Sequence, residues 1–353
     1  MPHQSVEKLR LLLDSDAQLR HHVCLSVSAV GRQCNDRRMN PVHTIDELYD
    51  FLESFLSVMP WDSRSNQISG GQSSIFRHID QAIGYMSLLF QEVQYIPLIN
   101  RWLHDFYREW ADYLNSSDSW NETVYNQFLQ DPLFELDTGK YETADNWLCW
   151  NDFFSRRLSG SVPVPSVAEG HKHGWIRISG ESKLSVPAPV KTGTLFDVSV
   201  LLADSPYNNS FQGGLFTHIT LDIYNYHHFH SPVSGVIRDM RNVEGAATTG
   251  GKIVWNEEQQ RYCYQYSDNI GFQMLEQRGV IVIENDKPAS GCDCSVPQLV
   301  AIVPVGVAQV GSIVFNRDLS IGQHIKAGTD LGHFRCGGSD VVILKTKSVN
   351  NEF

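Results

Sequence analysis

The sequence predicts an α+β protein in which a helical N-terminal region precedes a β-rich region. Up to about residue 155, apolar residues recur at the three- and four-residue spacing of amphipathic helices. Beyond about residue 175, short runs rich in β-branched residues are bounded by Gly, Pro or Asn, which is typical of strands. A chain of 353 residues is long enough for one large domain or two domains of medium size.

Three helices are predicted in the first region. Thr44 and Glu47 have the spacing of a capping box, and the helix that follows carries apolar residues at 48, 51, 52, 55 and 56. A second helix is expected to begin near Ser74, and a third pattern resumes after Pro97. The aromatic residues along these helices are predicted to be core, because a stripe at helical spacing is the usual mark of a buried face.

The composition changes at SGSVPVPSVAEGHKHG, which predicts a linker or crossing loop over 159–174. We therefore expect a helical N-terminal domain over 1–158 and a β-rich domain over 175–353. Packed or rolled sheets are the expected architecture of the second domain. The segments that predict its strands are LFTHITLDIY, GVIRDM, RGVIVIEN, QLVAIVPVGVAQVGSIVF and DVVIL.

The charge balance restricts the partners of the chain. The formal net charge of −12 and the pI of about 5.6 disfavour binding to nucleic-acid phosphates and to anionic membrane surfaces. No apolar run approaches the roughly 18 residues that span a bilayer, and the first thirty residues contain no cleavable hydrophobic region. We expect a cytoplasmic protein without a stable membrane anchor and without a nucleic-acid partner; its oligomeric state is not predicted.

The cysteines do not indicate a metal site. There are seven, an odd number, and Cys292 and Cys294 form a close pair without a second cluster. The expectation is reduced thiols and no bound metal.

A self-cleaving peptide bond is one interpretation of Gly338-Ser339, which follows another glycine inside a strand-like segment. A serine hydroxyl held against the preceding carbonyl can attack it, and β-elimination of the resulting ester leaves a pyruvoyl group. That group forms a Schiff base with an amine and accepts the electrons released when CO2 leaves. Gly-Gly-Ser is also ordinary hairpin chemistry, so the residues alone leave both interpretations open.

Two other classes of function remain possible from the residues alone. His228 and His230 lie two apart on a predicted strand and point the same way, as zinc ligands do in some hydrolases, but a third ligand is not evident. The run IKAGTDLG is similar to the hairpin of carrier modules, although that hairpin needs a modifiable lysine where this chain has glycines and a serine.

Three segments in order make a more specific pattern: DIYNYHHFHSPVSG, PVGVAQVGSIVF and IGQHIKAGTDLGHFRCGGSD. Together with NWLCWNDFFSRRL they resemble the phosphatidylserine decarboxylase family of pyruvoyl enzymes over roughly residues 145 to 345. The resemblance implies a β-rich catalytic domain of that type, autocatalytic serinolysis between Gly338 and Ser339, and carboxy-lyase activity. It implies neither pyridoxal phosphate nor a metal.

The resemblance also implies roles for individual residues. Ser339 is the precursor of the pyruvoyl group, and Gly338 supplies the scissile carbonyl. His230 resembles the base that activates the serine, and His227 resembles the group that transfers a proton during decarboxylation. The family's acid segment has no aspartate here, so Glu181 is the candidate to orient His230.

The substrate implied is a small molecule. The long helical N-terminal region resembles that of soluble fungal tryptophan decarboxylases, which predicts a free, aromatic amino acid as the substrate. There are two alternatives: the substrate is phosphatidylserine, or the chain is an inactive member of the family. The inactive alternative arises because Asp340 stands where the family usually has threonine.

Overall fold

The structure is a computed structural model that describes most of the chain. The described residues are 3–34, 36–37, 39–58, 79–178, 183–185, 195–247, 251–257, 261–266, 272–286, 298–307, 313–335 and 338–347. All structural statements below refer to these residues.

Helices dominate the first part of the chain. The α-helices are α1 Gln4–Ser15, α2 Ala17–Gly31, α3 Ile45–Phe55, α4 Ile79–Phe90, α5 Pro97–Leu114, α6 Glu122–Leu129, α7 Trp150–Phe154, α8 Val198–Leu201 and α9 Phe272–Leu275. Single 3-10 turns lie at Ser117–Ser119, Pro132–Phe134, Ala144–Asn146 and Asn208–Phe211.

Strands dominate the second part. They are β1 His171–Lys172, β2 Ile176–Arg177, β3 Lys183–Ser185, β4 Leu195–Asp197, β5 Leu215–Leu221, β6 His228–His230, β7 Gly235–Val243, β8 Gly251–Asn256, β9 Arg261–Tyr266, β10 Arg278–Asn285, β11 Leu299–Val307, β12 Ile313–Phe315, β13 His324–Ile325, β14 Asp330–Phe334 and β15 Gly338–Lys345. This order confirms the predicted α+β class, with helices before sheets.

The strands form two sheets that matter for the site. The larger is antiparallel in the order β1-β5-β15-β11-β10-β7-β13, with β2 also paired to β5. The smaller has the order β12-β14-β6. In the larger sheet β15 is a central strand between β5 and β11, so both of its edges are hydrogen-bonded to neighbouring strands.

Side-chain alternation divides the larger sheet between two hydrophobic cores. On β15, Val341 and Ile343 belong to the core that also contains Leu9 of α1 and Trp102 of α5. Val342 and Leu344 belong to the second core, which α8 and α9 cover. The helical region is therefore packed against one face of the larger sheet, and adjacent residues of β15 belong to different environments.

Several local predictions are confirmed. Thr44 caps α3 with the reciprocal hydrogen bonds of a capping box, and Pro97 occupies the first turn of α5, where its missing N–H costs nothing. The aromatic side chains of α5 are core, since Trp102, Phe106 and Trp110 are all buried. The helix start predicted near Ser74 lies outside the described residues.

The predicted loop over 159–174 needs one correction at its end. His171 and Lys172 form β1, because Thr220 and Ile219 at the edge of β5 offer them backbone partners. The division into domains at 158 and 175 stays a prediction. None of the described helices is long and apolar enough to cross a bilayer.

Candidate active site

Ser339 lies at the start of β15, on the face that the helices cover. It follows the alternation that places Val341 and Ile343 in the first core, and it is only 2% exposed. Its Oγ is 3.3 Å from Nδ1 of His227, the residue immediately before β6. The structure therefore brings together two of the predicted site residues, a serine hydroxyl and an imidazole, out of contact with solvent.

The hydrogen-bond partner of Nε2 determines the tautomer of His227. Nε2 lies 3.3 Å from the carbonyl oxygen of Ile223, which can only accept, so Nε2 carries the proton. The lone pair of Nδ1 then faces Ser339. Burial, and after it the positive charge of Arg156, lower the pKa of His227 to about 3. The imidazole is thus neutral over the physiological range and able to accept a proton from the serine.

Phe154 and Arg156 hold His227 in this position. The ring of Phe154 stacks on the imidazole with centroids 3.9 Å apart and an angle of 19°. The fully buried guanidinium of Arg156 donates to the carbonyl oxygens of Tyr224 at 2.5 Å and Asn225 at 3.2 Å. These carbonyls belong to the turn that leads into His227, so one side chain supports the ring and the other fixes the backbone.

His230 is engaged elsewhere. Its Nδ1 lies 3.1 Å from the carbonyl oxygen of Gly328 and must donate to it, which leaves Nε2 to accept from the hydroxyl of Tyr226, also at 3.1 Å. Burial lowers the pKa of His230. Both nitrogens of the ring have partners other than Ser339, so the role of base predicted for His230 is not accompanied by a contact and stays a prediction.

His228 lies between two hydrogen-bond acceptors. Nδ1 lies 3.0 Å from a carboxylate oxygen of Asp330, and Nε2 lies 3.0 Å from the carbonyl oxygen of Ser155. Both ring nitrogens of His228 therefore have partners other than Ser339. Burial alone would raise the pKa of Asp330, but the hydrogen bond and charge of His228 outweigh it and lower that pKa.

The zinc interpretation of the HxH pair finds no third ligand in the described part of the chain. His228 and His230 both stack on Tyr226, which confirms that they point the same way. Among the described residues, however, there is no cluster of three or more His, Cys, Asp or Glu side chains that could hold a metal.

Asp340 points away from the scissile bond. It is fully buried on the opposite face of β15, where both carboxylate oxygens lie 3.0 Å from Nδ1 of His218 and one accepts from Nε2 of Gln273 at 2.9 Å. The charge next to Ser339 in sequence is therefore balanced by partners from β5 and α9 rather than directed at the serine.

The remaining predicted residues are only partly described. The backbone of Gly338 begins β15, whereas Glu181 lies outside the described residues. Sequence reasoning missed the roles of Phe154, Arg156 and Tyr226. For the first two a signal existed, since both lie in the NWLCWNDFFSRRL segment, but nothing in that segment indicated which face of the histidine they would touch.

Comparisons with known proteins show which family the sequence matches. The model of a family described as phosphatidylserine decarboxylase matches residues 150–353. A phosphatidylserine decarboxylase proenzyme of Ruminiclostridium cellulolyticum is 24% identical over 225 residues, covering 61% of this chain and 66% of that protein. An L-tryptophan decarboxylase of Psilocybe cubensis is 25% identical over 278 residues, covering 69% of this chain and 61% of that protein.

A third relative is the phosphatidylserine decarboxylase proenzyme 2 of Oryza sativa, 24% identical over 275 residues. The match covers 74% of this chain and 40% of that protein. The chain thus spans less than two thirds of the length of each of these relatives.

Proposed function

The chain belongs to the phosphatidylserine decarboxylase family, and on that premise we propose that it is a pyruvoyl-dependent decarboxylase, a carboxy-lyase that cleaves itself between Gly338 and Ser339. The single observation that carries the proposal is the buried contact between Ser339 Oγ and the unprotonated Nδ1 of His227. A hydrophobic hairpin turn would not need a neutral base oriented toward its serine.

In the cleavage step we assign the base to His227. Ser339 Oγ bonds to the carbonyl carbon of Gly338 while its proton passes to His227 Nδ1, and the C–N bond between the two residues breaks as the freed amine takes up a proton. Loss of the Cα proton of Ser339 then expels the Gly338 carboxylate from Cβ. The dehydroalanine that results takes up a proton at Cβ and becomes an imine, and water then replaces the imine nitrogen, which leaves as ammonia.

The site fits the group that this cleavage would create. A pyruvoyl group condenses with a substrate amine and accepts the electron pair released when carbon dioxide leaves. It would be built from the Cα and Cβ of Ser339, so it would keep the buried position beside His227 that the serine occupies. Phe154 covers one face of the imidazole and keeps water from it. A site without water favours decarboxylation, because the charge of the substrate carboxylate is lost as CO2 leaves.

His227 remains available after cleavage. Once the serine hydroxyl is gone, its ring still lies next to the reacting residue, where a proton must be delivered to the carbon that lost CO2. The same imidazole would therefore serve in both steps. This differs from the division of labour that the resemblance implies, in which His230 activates the serine.

We further propose that the substrate is a free amino acid, and an aromatic one. Two relatives named L-tryptophan decarboxylase, from Psilocybe cubensis and Psilocybe cyanescens, are 25% and 27% identical to this chain. The net charge of −12 also supports this choice, because basic residues at an anionic lipid surface contribute about 1 kcal/mol each and this chain has an excess of acidic ones.

Intact-mass analysis tests the cleavage. The wild-type protein should separate under denaturing conditions into residues 1–338 and a pyruvoyl-headed fragment ending at Phe353, whereas Ser339→Ala should remain one chain. A wild-type protein that stays intact and yet decarboxylates an amine substrate would disprove the pyruvoyl mechanism.

A substrate panel tests the second proposal. Processed enzyme is incubated with tryptophan, tyrosine, phenylalanine and phosphatidylserine vesicles, and CO2 and amine products are measured, with Ser339→Ala as the inactive control. We expect amine from an aromatic amino acid. Phosphatidylethanolamine from the vesicles, with no amine from any free amino acid, would assign the chain to lipid decarboxylation instead.

A further inference from the structure

A cavity of about 380 Å³ lies beside β6 and β14, on the side that His228 faces. Successive side chains of an extended segment point to opposite sides, so His228 points away from the Ser339 that its neighbour His227 contacts. The cavity is therefore separate from the cleavage site. Its charged and ionisable lining residues are Glu142, Asp152, Arg157, His228, His333 and Arg335.

The two guanidinium groups of the cavity are not paired with carboxylates in the part of the chain that the structure describes. Arg157 is exposed and Arg335 is half-buried, and neither guanidinium forms a salt bridge with a carboxylate of the described residues. Beneath them the buried His228 is paired with Asp330. Two guanidinium groups thus lie on the solvent side of this pair.

The two acids of the cavity are used locally. Glu142 accepts from the backbone N–H of Arg157 at 3.2 Å and from the side chain of Asn146 at 3.1 Å. Asp152 accepts from the backbone N–H of Leu148 at 3.0 Å. These carboxylates accept N–H donors of their own segments, whereas neither guanidinium of the cavity is paired with a carboxylate of the described residues.

His333 lies within reach of the cationic groups of the cavity. It pairs with His228 across the two strands, and the ring centroids are 5.1 Å apart. Burial, followed by the charges of His228 and Arg335, lowers the pKa of His333 to about 4, while the carboxylate of Asp330 opposes the shift and Arg157 adds to it. The imidazole of His333 is therefore neutral at the wall of the cavity.

We propose that this cavity binds the phosphate group of a small phosphorylated molecule. Guanidinium groups match phosphate oxygens in a bidentate fork, and a neutral His333 can add an N–H donor from the cavity wall. The volume exceeds what a phosphate ion needs, so there is room for the group esterified to it. The proposal is independent of the decarboxylase activity, since none of these side chains forms a hydrogen bond with Ser339 among the described residues.

Inorganic phosphate, titrated into the full chain at constant ionic strength, tests the site. Calorimetry should show saturable binding. The pKa of His333 should rise, because a bound anion offsets the charges of the nearby cations. NMR of histidine-labelled protein measures this pKa, and the His333→Gln variant assigns the signal. The double variant Arg157→Gln/Arg335→Gln should weaken binding by at least about tenfold. The matched control is Arg32→Gln/Arg101→Gln, which removes two exposed arginines outside the cavity.

Vesicles distinguish the sources of the phosphate. If phosphatidic acid vesicles bind with the same dependence on Arg157 and Arg335, the phosphate can come from a lipid headgroup; if inorganic phosphate alone binds, the ligand is soluble. Either result supports the site. Phosphate binding that is equal in the cavity variant and the control, or no binding of either probe, would overturn the proposal.

Discussion

Asp340 is adjacent to Ser339 in the chain, yet its carboxylate is bound by His218, with both oxygens 3.0 Å from Nδ1. Strand alternation is the reason, because it places consecutive side chains of β15 on opposite faces. A negative charge that looked from sequence like an obstacle to cleavage is instead part of a buried polar contact beneath α9. Its hydrogen bonds join β15 to β5 and α9.

We expect Asp340→Ala to lower stability without stopping cleavage. The substitution removes the buried acceptor of His218 and Gln273, which should cost about 1–3 kcal/mol of unfolding free energy. The rate of chain cleavage, measured by mass spectrometry where the variant is folded, should stay within about tenfold of wild type. Asp340→Thr, which installs the residue usual in the family, serves as the companion variant. A folded Asp340→Ala that no longer cleaves would place Asp340 in the reaction.

His227 and His230 should differ in their effect on cleavage, because His227 is the one whose ring contacts Ser339 in the described structure. His227→Gln removes the only imidazole nitrogen that meets Ser339 in the described structure, so cleavage should slow by about 10²–10⁴-fold. His230→Gln retains that contact and should still cleave, with any loss arising from the Tyr226 and Gly328 hydrogen bonds. Time courses of chain separation measure both. The opposite result, cleavage in the first variant and none in the second, would restore the division of roles that the resemblance implies.

Cleavage should tolerate mild acid. Burial and the charge of Arg156 hold the pKa of His227 at about 3, far below its ordinary value near 6.5. The proton-accepting form therefore persists as the pH falls. We expect the first-order rate of cleavage to change by less than about threefold between pH 7.5 and 5.5, where an unperturbed histidine would lose most of its base form. A tenfold fall centred near pH 6.5 would show that the essential base is exposed to solvent.

Stability should fall over the same acid range. His227 and His333 have native pKa values of about 3 and about 4, below the unfolded value near 6.5, so between these limits the unfolded chain binds more protons. The unfolding free energy then decreases with falling pH, by up to about 1.4 kcal/mol per unit for each such group. Urea unfolding of Ser339→Ala at several pH values measures the slope, and His333→Gln should reduce it. An unchanged slope in that variant would mean that His333 is already protonated in the native state.

The sequence predicted the order of helices and strands well because amphipathic spacing and β-branched runs are local signals. Thr44 and Pro97 behave as their chemistry requires, and the strand around Ser339 forms where expected. The sequence was less able to predict which side chains from distant segments contact each other. That His227 rather than His230 meets the serine depends on where β6 lies relative to β15 across 112 residues, and no local pattern encodes that distance.

Arg156 should be the most sensitive of the supporting residues. Its guanidinium is fully buried and donates to the carbonyls of Tyr224 and Asn225, so Arg156→Met leaves these acceptors without their donor and loosens the turn before His227. Two effects should follow: slower cleavage, because Nδ1 is less well held, and a higher pKa for His227, because a neighbouring positive charge is gone. Arg156→Lys keeps a charge but not the planar fork and should restore the low pKa more than the rate. The pH dependence of cleavage in both variants separates the two effects, with Arg101→Met as an exposed control. If Arg156→Met loses stability but cleaves at the wild-type rate and with the wild-type pH profile, Arg156 contributes to packing alone.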